Sequence, residues 1–229
     1  FTSSAGAVGI NSCHVVVDGT NYSNSLGTYR LRGNCYYNGT FTAPLSPEYA
    51  FTATTTSATT EFSFNISAKG TFYIDCGDGA AEQYKTIVKT TTTVETVACS
   101  WSNVGAHTVK VGGIASGYAT SGDAAISFAN NTNLAGIDGS LGEVFHTIDD
   151  GKDAGEQPKF YRAFYDCTNL AGKIPAGLFS GITGAPAEYM FDRTFFDCSN
   201  LSGSIPADLF SGISGAPASY MFYQTFYGC

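Results

Sequence analysis

The side chains that most often act as catalytic bases and nucleophiles are few in this chain and lie far apart. The three histidines, His14, His107 and His146, fall in three different segments, and His107 lies in strand-like alternation, which favours a packing role. The sequence contains no G-x-S-x-G, H-E-x-x-H, G-x-G-x-x-G or phosphate-loop motif. No Cys–His pairing has the spacing of a known nucleophile. We therefore predict a protein that is not an enzyme, with no catalytic residue and no cofactor.

Two groups of acidic residues have the chemistry of a calcium site, because Ca²⁺ takes roughly six to eight oxygen ligands from flexible loops. One group consists of Asp149, Asp150, Asp153 and Glu156. It lacks the spacing of an EF-hand, so a solvated loop is the favoured interpretation. The other group is Asp75 and Asp78, in a turn where Asp usually bonds its own backbone. We predict no metal site.

The seven cysteines divide into two groups by their spacing. Cys13, Cys35, Cys76 and Cys99 are irregularly spaced, and in an exported chain they predict two disulfides. Closeness in sequence favours Cys13–Cys35 and Cys76–Cys99, while four cysteines allow three pairings. The remaining three recur once per 31 residues, which indicates packed thiols rather than reactive ones. They are Cys167, Cys198 and Cys229.

The overall composition excludes two classes of partner. The 229-residue chain has a formal net charge of −8 and no basic run, so we expect no nucleic-acid binding. No apolar stretch approaches the roughly 18–20 residues that span a bilayer, so we expect no membrane-spanning segment. Charged residues make up only 13%, which leaves Ser, Thr, Asn and Gly to cover the surface, as is common in exported proteins. The start at Phe1 is expected of a mature chain whose signal peptide has been removed.

The first 120 residues have the patterns of β-structure. In residues 1–46, apolar runs beside Asp-Gly and Asn-Gly turns indicate a β arm or a small disulfide-tied unit. Over residues 47–120, Phe62, Phe64 and Ile66 alternate with polar residues, as in a strand with one buried face. Further strands are expected at 71–75, 86–89, 93–99 and 107–111. Short strands at this spacing predict an antiparallel β-sandwich.

The stretches FYIDCGDG (72–79) and GAHTVKVGG (105–113) resemble the PKD-type β-sandwich found in many surface proteins. In that family a strand ends in a Gly-Asp-Gly turn, and a later strand follows the pattern Gly–x–(Tyr/His)–Thr–Val. Cys76 stands where the family has an aromatic residue. The resemblance therefore implies that a disulfide to Cys99 supplies the packing that this aromatic side chain would give.

The end of the chain contains one 31-residue unit written twice, at 168–198 and 199–229. Of the 31 aligned positions, 21 are identical, and there is no gap. A fixed period in this range is typical of a solenoid, in which each unit buries its apolar face against its neighbours. Residues 132–136 match the start of this unit at 168–172. We therefore predict a domain at 121–229 that consists of a cap (121–160) followed by repeats (161–229).

Each unit is predicted to hold a short extended segment, a turn and then a helix, which begins near Pro217 in the second copy. The predicted core of that copy is Leu201, Ile205, Leu209, Phe210, Ile213, Met221, Phe222 and Phe226. The predicted core of the first copy is the matching set, namely Leu170, Ile174, Leu178, Phe179, Ile182, Met190, Phe191 and Phe195. Asn169 and Asn200 are expected to bond backbone groups at the turns.

The step aromatic-x-x-Cys-x-Asn-Leu, at 164–170 and 195–201, is followed by Ile-Pro-Ala and by a Met-Phe pair. These features resemble the BspA-like group of bacterial leucine-rich-repeat surface proteins, over about residues 130–229. The resemblance implies an exported bacterial protein at the cell surface. With the front half, it implies an α+β fold class: an antiparallel β-sandwich followed by a short leucine-rich-repeat-type solenoid.

The predicted function is adhesion, or the binding of a protein or glycan from a host or neighbouring cell, through the repeat region. The candidate contact residues are Tyr189, Tyr220, Tyr223 and Tyr227. The alternative is a structural subunit of an extracellular filament or surface layer. In that case the uncovered apolar face of the last repeat would contact an identical subunit head-to-tail.

Overall fold

The computed structural model describes residues 2–3, 13–17, 20–23, 49–77, 83–120, 122–148 and 156–229. The chain divides into two compact units, residues 1–48 and 49–229. In the first unit, three strands form an antiparallel sheet in the order β1-β2-β3: Thr2–Ser3 (β1), Cys13–Val17 (β2) and Thr20–Ser23 (β3). Cys35 lies outside the described residues, so the Cys13–Cys35 disulfide stays a prediction.

The described part of the second unit contains two antiparallel sheets. Its strands are Tyr49–Thr55 (β4), Thr59–Ile66 (β5), Lys69–Asp75 (β6), Tyr84–Lys89 (β7), Glu95–Gly105 (β8), Thr108–Gly117 (β9), Ile126–Ser127 (β10) and Leu134–Gly139 (β11). One sheet has the order β11-β4-β9-β6-β7, and the other has the order β10-β5-β8. Two strands, β10 and β11, come from the segment predicted as a cap, and they pair with β5 and β4. The sheets therefore continue past residue 120.

Alternation of apolar and polar residues accounts for the shared core of the two sheets. Phe62, Phe64 and Ile66 of β5 are buried, while the residues between them are less so. The ring of Phe128 lies 5.1 Å from that of Phe64 and 5.7 Å from that of Phe51 in β4, so it links both sheets. Because side chains two apart point to the same face of a strand, this pattern fixes the register of each strand.

A disulfide between Cys76, just after β6, and Cys99 in β8 joins the two sheets, and it confirms the predicted pairing. The indole nitrogen of Trp101 donates a hydrogen bond to the Cys76 carbonyl at 2.8 Å. The Trp101 ring stacks on His107 with 3.9 Å between ring centroids, so His107 has the packing role that its alternation indicated.

The predicted α+β fold class with a leucine-rich-repeat-type solenoid is wrong. The described residues are almost entirely β-strand and turn, in two antiparallel sheets with no helical component, and no solenoid is detected. In particular, none of them forms a helix that could cross a bilayer. The helix predicted after Pro217 is instead a run of consecutive turns over 219–228, and the first copy has the same run over 188–197.

Backbone dihedral angles give the physical reason for the missing helix. Every fourth residue of the first copy's run has positive φ, namely Tyr189 (58°), Arg193 (51°) and Asp197 (55°). A right-handed helix requires negative φ at every residue, so none can pass these positions. The N–H groups that bond within the run reach only three residues back, as from Asp192 to Tyr189 at 3.2 Å, and not four as in an α-helix.

Successive runs of turns are joined by backbone hydrogen bonds between alternate residues. N–H groups of the first copy donate to carbonyls of the second, at Tyr189–Ser219, Phe191–Met221, Arg193–Tyr223, Phe195–Thr225 and Asp197–Tyr227, over 2.7–3.1 Å. The run at 160–166 donates to the first copy in the same manner, as from Phe164 to Thr194 at 2.8 Å. We call the three runs at 160–166, 189–197 and 219–227 the turn ladder.

Side chains at matching positions of the turn ladder also stack. The rings of Phe164 and Phe195 lie 5.2 Å apart, and those of Phe195 and Phe226 lie 5.5 Å apart. The amides of Asn169 and Asn200 donate to backbone carbonyls at 2.8 and 2.6 Å, as predicted. Each layer is thus bonded to the next through both backbone and side chains.

The predicted cores of the two copies have different outcomes. All eight residues of the first copy's set are buried. In the second copy, Leu209 and Met221 are buried, but Ile205 and Phe222 are 53% and 45% exposed. The ring of Phe222 stacks on Phe191 at 5.5 Å and meets Phe210 edge-on at 4.8 Å, and no other ring among the described residues stacks on it. Burial of each layer therefore depends on the layer that follows.

Replacing Gly212 by alanine is expected to lower the free energy of unfolding by about 1–3 kcal/mol. A Cβ atom at this position would lie 2.0 Å from the Ile182 carbonyl oxygen. The Gly212 carbonyl also accepts a hydrogen bond from Gly184 at 3.0 Å, so the two copies would have to separate. Urea denaturation followed by circular dichroism measures the loss.

Gly177→Ala is the matched control, because the atom nearest to its Cβ would be Ser180 Oγ, at 4.0 Å. We expect its free energy of unfolding to stay within about 0.5 kcal/mol of wild type. Equal effects of the two substitutions would contradict close packing of the copies at Gly212.

Candidate binding surface

Three of the four predicted contact tyrosines lie together on the turn ladder. The rings of Tyr189 and Tyr220 are nearly parallel, with centroids 5.2 Å apart, and Tyr223 meets Tyr220 edge-on at 5.6 Å. Tyr161 extends the group through an edge contact with Tyr189 at 6.4 Å. Tyr220 and Tyr223 are 56% and 43% exposed. We call Tyr161, Tyr189, Tyr220 and Tyr223 the tyrosine cluster.

The repeat accounts for two members of this cluster, and a difference between the copies accounts for a third. Tyr189 and Tyr220 occupy the same position of the 31-residue unit, and both have positive φ, 58° and 54°. The N–H group of Tyr189 is bonded to Ser219, which aligns the two rings. Tyr223 stands where the first copy has Asp192, so only the second copy can supply it.

Polar side chains beside the tyrosine cluster are held in fixed orientations. The Arg193 guanidinium lies 4.8 Å from the centroid of the Tyr223 ring. Its Nε donates to Oε1 of Gln224 at 3.0 Å, and a terminal nitrogen lies 3.3 Å from the Asp192 carboxylate. Cation–π contact and bidentate donors make arginine well suited to recognition surfaces. Arg193 is therefore positioned before any ligand arrives.

The ionisation equilibria of Tyr189 and of the neighbouring Asp192 are shifted toward their neutral forms. Partial burial, and then the negative charge of Glu188, raise the pKa of Tyr189 above its ordinary value of 10. Burial also raises the pKa of Asp192, while Arg193 and Arg162 act in the opposite direction. The Tyr189 hydroxyl is therefore protonated at physiological pH and can donate as well as accept a hydrogen bond.

A surface cavity of about 550 Å³ adjoins the tyrosine cluster. Its wall is largely apolar. The main side chains that line it are Pro186, Ile213, Pro217, Tyr220, Phe222 and Tyr223. Concave, mostly apolar sites with a few placed polar groups are typical of ligand binding.

Tyr227, the fourth predicted contact residue, is not part of this cluster. Its ring stacks on Phe196 at 5.0 Å, and Phe196 stacks on Tyr165 at 4.9 Å. Tyr227 is 59% exposed at the other end of the run of turns. The structure therefore divides the predicted set into a group of three and one separate residue.

The acidic residues that were weighed as calcium ligands fall partly outside the described residues, which do not include Asp78 or residues 149–155. Asp75 accepts hydrogen bonds from the Gly77 backbone N–H at 2.9 Å and from Lys110 at 3.0 Å. The Glu156 carboxylate accepts one from the backbone N–H of Tyr118. Within the described ranges, no group of three or more His, Cys, Asp or Glu side chains has the arrangement of a metal site.

The three cysteines of the repeat are free thiols that bond backbone carbonyls of the preceding layer. Cys167 and Cys198 are buried, and their sulfur atoms lie 3.1 and 3.0 Å from the carbonyls of Phe128 and Phe164. Burial raises the pKa of Cys167 to about 12 and also raises the pKa of Cys198 and of the more exposed Cys229. None of them is activated as a nucleophile, since the reactive form is the thiolate.

Comparisons with known proteins identify no relative of this chain. No protein-family model, no curated protein and no solved structure matches it. The geometry of the surface itself is therefore the basis on which a function can be proposed.

Two contributors to the surface were not anticipated from the sequence, Arg193 and Gln224. They occupy the same position of the unit, so the two copies differ there. The copies also differ at the preceding position, which is Asp192 in the first copy and Tyr223 in the second, within an otherwise similar stretch. Differences inside a repeat mark positions at which the layers accept another side chain, and this signal could have located the polar part of the surface. Phe222 was assigned to the core, yet it lines the cavity.

The buried thiols predict a loss of stability at alkaline pH. The folded state retains the Cys167 proton up to about pH 12, whereas the unfolded chain loses it near 9. This contribution is therefore fully present below about pH 9 and is lost as the pH rises toward 12. We expect the free energy of unfolding, measured by urea denaturation, to fall less between about pH 8 and about pH 10.5 in Cys167→Ala than in wild type. An equal fall in the two proteins would contradict this assignment.

Proposed function

We propose that this protein acts at the cell surface or in the extracellular space and binds a protein or glycan through the tyrosine cluster and the adjoining cavity. The observation that supports this most is the exposure of stacked tyrosine rings beside an apolar cavity, with Arg193 held at their edge. Tyrosine and arginine are enriched among the residues that contribute most to binding.

Pre-organisation of the cluster favours binding. Tyr220 is supported by Tyr189 on one face and by Tyr223 at its edge. The three rings are therefore already ordered before a ligand docks. Immobilising a side chain at an interface costs about 0.5–1.5 kcal/mol, and a stacked ring has already lost that freedom. Rigid tyrosine surfaces are used in the same way by antibody binding sites.

The chemistry of the cavity favours binding over catalysis. Apart from tyrosine hydroxyls and Ser214, its described side chains are apolar, and none of them is a histidine, a cysteine or a carboxylate. A hydrolase needs a positioned acid, base or nucleophile. The proposed role therefore requires no reaction at this site.

We expect the double variant Tyr189→Ser, Tyr223→Ser to lose binding by about tenfold or more, because two tyrosine anchors are removed. Arrays of extracellular proteins and of glycans, probed with the labelled full chain, identify ligands. The dissociation constant of each hit is then measured by biolayer interferometry for wild type and for the variant.

Tyr84→Ser is the matched control, since Tyr84 is 51% exposed on β7, at the edge of the five-stranded sheet. It should bind every hit as wild type does. Two results would refute the proposal: no hit on either array, or hits whose affinity is unchanged in the double variant.

A further inference from the structure

Arg162, in the first run of the turn ladder, carries donors that the described part of the chain does not use. Its guanidinium carbon lies 5.0 Å from the centroid of the Tyr161 ring and 5.0 Å from that of Tyr165. The residue is exposed, and its side-chain nitrogens donate no hydrogen bond to any described residue. Because a guanidinium has five N–H groups, Arg162 offers a full set of donors to another molecule.

The first two runs of the turn ladder hold this side chain in place. The N–H group of Arg162 donates to a carbonyl of the second run at 2.9 Å, and its φ of 53° is left-handed. The Tyr165 ring stacks on Phe196 of the second run, with 4.9 Å between centroids. The Tyr161 ring meets Tyr189 edge-on at 6.4 Å. The guanidinium is therefore positioned by rings that are themselves fixed, at the border of the tyrosine cluster.

Arg193, the matching residue of the second run, has partners for its donors. Its Nε donates to Gln224 at 3.0 Å, and a terminal nitrogen lies 3.3 Å from the Asp192 carboxylate. Burial raises the pKa of Asp192, while Arg193 and then Arg162 lower it, so both guanidiniums act on this one carboxylate. Asp192 balances one of the two positive charges. The charge left over belongs to Arg162, which forms no ion pair with the described residues.

The geometry of this group favours a carboxylate of a polypeptide over a sugar. A guanidinium with free N–H groups takes the two oxygens of a carboxylate in parallel hydrogen bonds. A sugar ring docks on an open aromatic face, but Tyr165 and Tyr189 are each stacked on a ring of the next run. A carboxylate also carries a single charge, as the uncompensated Arg162 does, whereas a phosphoryl group carries about 1.5 to 2.

We infer that Arg162, held by Tyr161 and Tyr165, binds an Asp or Glu side chain of a partner protein beside the tyrosine cluster. This inference rests on the proposed binding role of that cluster, and it narrows the partner from protein or glycan to a protein that displays an acidic residue. Arginine side chains recognise acidic motifs in other peptide-binding proteins.

A random peptide library displayed on phage, selected against the full chain, supplies the probes. We expect the selected peptides to share an Asp or Glu residue. Each peptide is compared with its Asn or Gln analogue by isothermal titration calorimetry. The analogue should bind wild type about tenfold or more weakly, since a hydrogen bond to a charged group contributes that much. In Arg162→Met the acidic peptide and its analogue should bind almost equally.

The coupling between the two changes separates recognition from a disturbance of the fold. A variant that only loosened Tyr161 and Tyr165 would weaken both peptides to the same extent. Arg162→Lys keeps the charge but not the paired N–H groups, so it should lose most of the preference for the acid. Lys69→Gln, at an exposed position of β6, is the matched control for the loss of one positive charge and should keep the full preference.

The inference is overturned if no peptide is enriched, if the enriched peptides share no acidic residue, or if the preference for the acid persists in Arg162→Met. It is also overturned if an acidic glycan, and no peptide, loses affinity in that variant.

The proposed function fails by a different result. Peptides that lose affinity in Arg162→Met but not in the double variant Tyr189→Ser, Tyr223→Ser would support the Arg162 site and contradict the role of the tyrosine cluster. Ligands that lose affinity only in the double variant would support the cluster and overturn the present inference.

Discussion

The stability of the turn ladder, at the end of the second unit, depends on backbone hydrogen bonds that run from one copy of the repeat to the next. Each non-glycine residue in the left-handed backbone conformation costs about 1 kcal/mol or more. Tyr189, Arg193 and Asp197, at every fourth position, are such residues. The turn ladder offsets this cost with about 0.5–1.5 kcal/mol for each bond between copies. No single run of turns would hold this conformation by itself, so the layers form cooperatively.

The same constraint explains why the candidate surface is where it is. A residue with a left-handed backbone conformation points its side chain in a different direction from a residue of a helix. Tyr189 and Tyr220 both have this conformation, at matching positions of the unit. The bond from Tyr189 to Ser219 then brings their rings to 5.2 Å. The exposed aromatic group is thus a consequence of how the layers are joined, and ligand binding would use a geometry that folding has already fixed.

The sequence predicted the strands better than the tail, for a physical reason. Alternation at Phe62, Phe64 and Ile66 indicates a strand with one buried face, and closeness in sequence favoured the pairing of Cys76 with Cys99 that the structure contains. In the tail, a turn of four residues places aromatic side chains three and four apart, which is also the spacing of a helix face. Most of the left-handed positions in the runs of turns carry tyrosine, arginine, glutamine or aspartate, and only Gly228 has the residue type that marks this conformation, so no repeated residue type signalled it.

The division between identical and different positions within the repeat separates the parts played by its residues. Of the ten positions at which the copies differ, only Asp192 is buried in the first copy, so the identical positions maintain the ladder and the core. Several differences fall beside the tyrosine cluster, where Asp192 and Arg193 correspond to Tyr223 and Gln224. The backbone hydrogen bonds between the layers do not depend on which side chains occupy these positions. The repeat can therefore vary the side chains beside the tyrosine cluster while the backbone bonds that position them stay the same.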